Sequence, residues 1–428
     1  MTTLRPPSRA TPPEPQHPGE GSPRHGFAAI VPLARMFSPE NRDALLLIGT
    51  TLFLVAFGLV MVLSASSVEE QSATGDPFGR VVRQAIFAAI AVPAMLLVGR
   101  LPARFWRRWA WTALLVTVGM QLLVFVPGLS SSGGGNRNWI IIGGFTVQPS
   151  EFLKLALVVW IGTVLGARRD ELGDWKRLLL PVGPVAGIAI GLVLAGSDLG
   201  TAAIMLLMVF GCAFFAGARL RHLAVGGLGV IVIALLFAVA SPNRMSRINT
   251  WIQGCTDADY SGYCWQPQHG MWALASGGVL GVGLGNSRAK WNWLPEADND
   301  FIFAIIGEEL GLIGALVVLV LYALMAIVLV RIMRRARQSF TRIVTGGVLV
   351  WVVGQAFVNI GVVLGVLPVL GVPLPLISSG GSSLIAVLLA IGVVLSLARQ
   401  ETLDAAKIAA TPVGRPSRPQ AGRRPGQR

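Results

Sequence analysis

The chain reads as an all-α polytopic membrane protein, and three features of its sequence say so. It is 53% apolar and only 13% charged over 428 residues, where a soluble protein carries roughly 25% charged side chains. Apolar runs of about 18 to 22 residues recur, each long enough to cross a bilayer as a helix. Lys and Arg gather in alternate connections between those runs, the bias that sets membrane orientation. A backbone in lipid must bond within helices and keep its charges few.

The length of a spanning helix divides the apolar region into about ten spans. They fall at approximately 44–64, 81–99, 110–127, 148–167, 178–195, 199–217, 223–240, 301–330, 343–366 and 383–398. Four connections are strongly basic: Arg100, Arg104, Arg107 and Arg108; Arg168, Arg169, Lys176 and Arg177; Arg219 and Arg221; and Arg331, Arg334, Arg335, Arg337 and Arg342. All four fall on one face if the spans alternate, which places both termini in the cytoplasm. Residues 1–42 and 400–428 are polar and rich in Pro and Arg, unable to bury a core, and read as disordered cytoplasmic tails around a membrane domain at 43–399. No cleavage-type site follows residues 1–42, so they are not read as a signal peptide.

The formal net charge is +14, a balance that in a soluble protein draws polyanions. Here the basic residues lie in short connections and tails, with no compact basic domain, so nucleic-acid binding is excluded. Cys212 sits in an apolar run as a small packing residue. Cys255 and Cys264 share a long polar loop, where either a disulfide or two free thiols fits the spacing.

The non-cytoplasmic face holds the functional signals. Its connections are 65–80, 128–147, 196–198, 241–300 and 367–382, and the longest lies between spans 7 and 8. A loop of that length in a compact protein is usually functional. In Gln148-Pro149-Ser150-Glu151-Phe152-Leu153-Lys154, Pro149 suits a first helical turn and Glu151 and Lys154 share one helix face. They are either a structural ion pair or the lining of a polar cavity. Asp198, in Gly196-Ser197-Asp198-Leu199-Gly200-Thr201, either caps the following helix or contacts substrate. Leu294-Pro295-Glu296-Ala297-Asp298-Asn299-Asp300-Phe301 crowds three carboxylates at a helix mouth, and Glu308 and Glu309 follow two turns deeper. Such carboxylates either complement the helix dipole or raise one another's pKa into the range of a general base. In Gly371-Val372-Pro373-Leu374-Pro375-Leu376-Ile377-Ser378-Ser379-Gly380-Gly381-Ser382-Ser383 two prolines forbid a regular helix, and the stretch reads as irregular or re-entrant. Arg137, Arg244, Arg247, Arg288 and Lys290 lie on the same face, placed to meet a diphosphate or anionic lipid headgroups.

Taken in order, Gln148–Lys154, Asp198-Leu199-Gly200, Gly281–Gly285, Leu294–Phe301 with Gly307–Gly311, and Pro373–Ser383 resemble the bacterial SEDS family, over almost the whole span region. Glu296-Ala297 and Gly307-Glu308-Glu309 are more similar to its cell-division branch than to its elongation branch. The resemblance implies a ten-helix fold in the plasma membrane and polymerisation of lipid II into glycan strands at the outer face. It also implies a class B penicillin-binding protein and divisome membrane proteins as partners. Asp300 matches the family's essential aspartate, expected as the general base. Lys154, Glu151, Arg137, Arg244, Arg247, Lys290, Asp198, Ser378 and Ser382 are the expected substrate contacts, with Asp298, Glu296, Glu308 and Gln148 behind them. No metal-ligand spacing demands a cofactor, though a divalent cation such as Mg or Mn could share the diphosphate. Three positions depart from the family pattern: Asp298 replaces a common His, Ser379 a common Tyr, and Asn138 separates Arg137 from Trp139. A lipid II flippase and a non-catalytic divisome scaffold are the competing functions. Candidate chemistry clustered on one face, without an inverted repeat, favours the polymerase over the flippase.

Overall fold

The computed structural model describes residues 42–133, 136–143, 145–168, 174–239, 242–254, 262, 264–291 and 293–410. Helices stand at all ten places where a span was expected. In chain order they are α1 (Arg42–Thr74), α2 (Gly79–Val98), α3 (Ala103–Leu123), α4 (Pro149–Gly166), α5 (Trp175–Ala195), α6 (Leu199–Ala216) and α7 (Leu220–Val239). Two further helices, α8 (Pro242–Gln253) and α9 (Trp265–Gly277), lie in the long 241–300 connection, and then come α10 (Ile302–Arg335), α11 (Ser339–Val363) and α12 (Gly381–Ala410). Eight of these helices are long and apolar enough to cross a membrane. The other two expected spans are α3, whose first two turns carry Arg104, Arg107 and Arg108, and α7, whose described apolar stretch is the shorter Leu220–Val232.

The structure adds detail that the hydropathy pattern does not carry. The 128–147 connection holds a small antiparallel sheet of β1 (Ser130–Gly133), β2 (Asn136–Ile142) and β3 (Phe145–Val147), ordered β1-β2-β3. Instead of one continuous span at 301–330, α10 is broken at Gly311, which has φ 66° and ψ −164°. The segment 278–283 fills that break. The N–H groups of Val282 and Gly283 donate to the carbonyls of Glu308 and Glu309 at 3.0 Å each, and Leu312 N–H donates to Gly278 O at 2.9 Å. The interrupted helix thus keeps its backbone satisfied by protein, as a break at membrane depth requires. A single π turn, Val350–Gly354, interrupts α11. The final helix also runs past the expected boundary at 400 to Ala410, because Glu401 accepts the N–H groups of Arg337 and Gln338 at 3.1 Å.

Cys212 is buried with a free thiol, as its apolar surroundings suggest. Cys264 is buried and disulfide-bonded, and Cys255, its expected partner, lies outside the described residues. So do residues 1–41 and 411–428, which cover nearly all of the first expected tail and the part of the second beyond Ala410.

Side-chain contacts fix which ends of the helices lie together. Asp43, at the start of α1, pairs with Arg335, at the end of α10. Arg399 of α12 donates to the Arg100 carbonyl beyond α2. At the other end, Ser64 of α1 donates to Glu309 of α10, and Ser382 at the start of α12 accepts Gln148 N–H at the start of α4. The described chain therefore enters and leaves the bundle at one end, and its polar motifs gather at the opposite one.

Candidate active site

Two segments meet at that polar end. The turn Leu294–Phe301 precedes α10 and rests on the irregular stretch 367–380, which is kept from helix by Pro368, Pro373 and Pro375. Close backbone packing needs glycine at two neighbouring helices. A Cβ at Gly58 of α1 would lie 2.7 Å from Ile377 Cα, and one at Gly200 of α6 would lie 2.3 Å from the Leu370 carbonyl. Amide side chains clamp the two segments together. Asn359 of α11 donates at 2.7 Å to the carbonyls of both Asp300 and Val372. Ser378 donates to Asn299 O at 2.7 Å, and Ser379 N–H donates to Asp298 O at 2.8 Å. Gln84 of α2 donates to Ser378 O and accepts Gly380 N–H.

Asp300 is the carboxylate that this scaffold presents. It keeps a partial opening while protein surrounds it, and it takes no hydrogen bond or ion pair from a described side chain. Burial raises its pKa most, and the negative charges of Glu296, Asp198 and Asp298 add to the rise. Arg247 on α8 opposes them, and the group settles at about 7. A carboxyl group there exchanges protons near neutrality, as a general base should.

The neighbouring acids have other occupations. Asp298 is buried and ion-paired with Arg80 at 2.8 Å. Glu296 is exposed and accepts from Asn299 at 3.2 Å. Asp198 caps α6 by accepting Thr201 N–H at 2.8 Å, and it also accepts Gln148 Nε2 at 3.1 Å. Glu308 accepts from Ser276, Ser287 and the backbone of Arg288 and Ala289. These bonds tie the segment after α9 to the short limb of α10. Glu309 pairs with Lys290 at 3.6 Å and accepts Ser64.

The expected cationic contacts are spread out. Arg247 is exposed on α8 and donates to Val369 O at 3.5 Å, beside Asp300. Arg137 is exposed on β2, where its N–H donates to Gly196 O. Lys290 is buried by Glu309 and the Gly285 carbonyl. Lys154 is 1% exposed, pairs with Glu151 at 2.8 Å, donates to Gln355 at 3.1 Å and lies 4.9 Å from the Trp351 ring. The π turn of α11 brings Trp351 and Gln355 to Lys154, so Lys154 and Glu151 form a buried structural pair inside the bundle. Ser382 is buried against Gln148 N–H. The Arg244 side chain lies outside the described residues.

Arg80, Gln84, Asn359 and Gln355 are contributors that sequence reading missed. Arg80 lay within a connection whose acids, Glu69 and Glu70, were visible, and that charge pattern was the available signal. Single amides inside apolar spans gave a weaker one, because such residues bond within their own helix as readily as across the bundle. Among the described residues, no three His, Cys, Asp or Glu side chains converge to hold a metal ion. Asp298, the nearest acid to Asp300 in sequence, is already committed to Arg80.

Fold and site together define a multi-pass membrane protein with a carboxylate site at one end of its helical bundle. Residues 44–403 match the FtsW/RodA/SpoVE family, described as "Cell cycle protein", and the chain belongs to that family. It is 39% identical over 393 residues to the Mycobacterium tuberculosis "Probable peptidoglycan glycosyltransferase FtsW", covering 92% of this chain and 74% of the relative. It is 36% identical over 364 residues to the Bacillus subtilis "Stage V sporulation protein E", covering 85% of this chain and 99% of that protein. Among solved structures it superposes, with a TM-score of 0.68 and 27% identity, on a chain from "Structural coordination of polymerization and crosslinking by a peptidoglycan synthase complex". That match covers 83% of this chain and 97% of the other.

Proposed function

We propose that this chain is a peptidoglycan glycosyltransferase that polymerises lipid II at the outer face of the bacterial plasma membrane, in septal wall synthesis. The observation that carries the reading is Asp300: a partly open carboxylate at the polar end of the bundle, with no side-chain partner among the described residues and its pKa raised to about 7. In the proposed step Asp300 takes the proton of the acceptor sugar's 4-hydroxyl. That oxygen attacks the donor's anomeric carbon from the face opposite the diphosphate. The carbon–oxygen bond to undecaprenyl diphosphate breaks, the diphosphate keeps the electron pair, and the α linkage becomes β. Among the described residues, Arg247 is an exposed cation whose charge acts on Asp300, and it would meet the leaving diphosphate. A divalent cation, if one takes part, would ride on the diphosphate, since no described residues converge to cage it. The basic end of the bundle, with both chain ends, would face the cytoplasm.

A class B penicillin-binding protein and divisome membrane proteins are the proposed partners. The likeness to a chain from a peptidoglycan synthase complex that coordinates polymerisation and crosslinking supports this reading.

The test is glycan synthesis from purified lipid II by this chain with its penicillin-binding protein, transpeptidation blocked. Polymer should form with the native chain and fall by at least about 100-fold in Asp300→Ala, the scale of a lost general base. Undiminished polymer from Asp300→Ala would remove Asp300 from the role. No polymer from either, in an intact complex, would favour lipid II transport or a scaffold. Parallel reactions with chelator, Mg and Mn would read any metal requirement.

A further inference from the structure

Arg80 has no part in the proposed chemistry, yet it contacts three carboxylates at this end of the bundle. Its Nη1 lies 2.8 Å from Asp298 Oδ1. Nη1 and Nη2 reach both oxygens of Glu69 at 3.1 and 3.0 Å, and Nε donates to Glu70 at 2.9 Å. Glu70 is also held by Arg83 at 3.0 Å. Space for this cluster depends on Gly79, where a Cβ would fall 2.7 Å from Glu70 Oε2. One helical turn further along α2, Gln84 grips the 378–380 turn. Residues four apart share a helix face, so one face of α2 holds both halves of the site.

The consequence lies in the turn before α10. Asp298 and Asp300 are two residues apart, and each disfavours charge on the other. Without a counter-charge, the negative charge of Asp298 would bear on Asp300 unopposed. A guanidinium carries its charge at any working pH and presents a rigid fork to carboxylates. We infer that Arg80 is a positioning residue: by pairing with Asp298 it offsets that acid's charge and holds it away from the reacting groups, leaving Asp300 to accept the proton. The charged groups acting on Asp300 are then Glu296 and Asp298 from its own turn, Asp198 from α6 and Arg247 from α8, with Arg80 offsetting Asp298. The inference rests on Asp300 being the base.

The experiment is the pH dependence of polymerisation by the chain with its partner, for Arg80→Gln, Arg80→Lys, Asp298→Asn and the Arg80→Gln/Asp298→Asn pair. Arg80→Gln should move the acid limb upward by about one pH unit, an approximately tenfold loss on that side. Arg80→Lys, with charge but no fork, should move it less. The double variant should return the limb towards its native position, because charge and counter-charge leave together. A uniform loss from Arg80→Gln at every pH, or a double variant no better than Arg80→Gln, would overturn the inference. If Arg80→Gln fails to fold, Asp298→Asn alone decides, with a downward limb shift expected and an unmoved limb overturning it. Asp300→Ala in the same series separates the two readings. Polymer from it sinks the base assignment, whereas its loss beside an unmoved limb in Arg80→Gln sinks only the role of Arg80.

Discussion

Single residues at this site trade stability against chemistry, and the sign of the trade can be worked out. Asp300 has a folded pKa of about 7, against about 3.9 for an unperturbed Asp. Between those values the folded chain holds a proton that the unfolded chain has released. Stability therefore falls as pH rises from about 4 to about 7 and levels off above. Asparagine at 300 carries no such cost. Asp300→Asn should raise the thermal midpoint in detergent at pH 8 and make little difference near pH 4, while abolishing synthesis. An equal effect at both pH values would show that ionisation of Asp300 costs the fold nothing. The buried Lys154–Glu151 pair matters to the fold through its contact. Lys154→Met would leave Glu151 without its partner inside the bundle and cost about 3–5 kcal/mol, whereas Lys154→Met with Glu151→Gln should recover most of that loss. The residue-scale reading from sequence was strongest for placement set by spacing, as in the gathering of Asp300 and its acidic neighbours at one helix mouth. It was weakest for Lys154: an ion pair and a cavity lining look alike until the depth of the helix and the partner Gln355, some two hundred residues away, are known.

Among the elements, the break in α10 is what brings the acidic turn and the 278–283 segment into register. Gly311 has φ 66° with an extended ψ, a region that side chains avoid. A Cβ there would also lie 2.4 Å from Gly281 N and Val279 O. Gly311→Ala should therefore cost at least about 2–3 kcal/mol from strain and overlap, seen as a lower thermal midpoint. It should also reduce glycan synthesis, because Glu308 and the site turn share the short limb of the helix. A variant with native stability and activity would show that the break is incidental. Hydropathy could not reveal this break, since apolar residues continue on both sides of it. The glycines at 281, 283, 285, 307 and 311 were visible, but their pairing across the chain was not. The two helices inside 241–300 were likewise hidden, because α8 and α9 are short and mixed in polarity. Helices at the ten apolar segments were legible, and eight of them have the length and composition that crossing a membrane imposes.

At the scale of the whole molecule, charge and chemistry occupy opposite ends of one bundle. The Asp43–Arg335 pair, the Arg399 bond to Arg100 O and the Glu401 contacts mark the basic end. Ser64–Glu309, Ser382–Gln148 and Gln148–Asp198 mark the end that holds Asp300. Because the described chain begins and finishes at the basic end, it makes an even number of passes between the ends, the parity that ten spans require. Positive residues stay on the cytoplasmic side of a membrane, so this arrangement would turn Asp300 outward, where glycan is assembled. Two surface positions without a role at the site test it: Gln71, exposed at the end of α1, and Leu403, 45% exposed on α12. In intact cells a membrane-impermeant maleimide should label Gln71→Cys and spare Leu403→Cys, which should react only after permeabilisation. The reverse pattern would place Asp300 on the cytoplasmic side, where a base for outer-face polymerisation has no substrate. Labelling of both in intact cells would contradict the separation of the two ends itself.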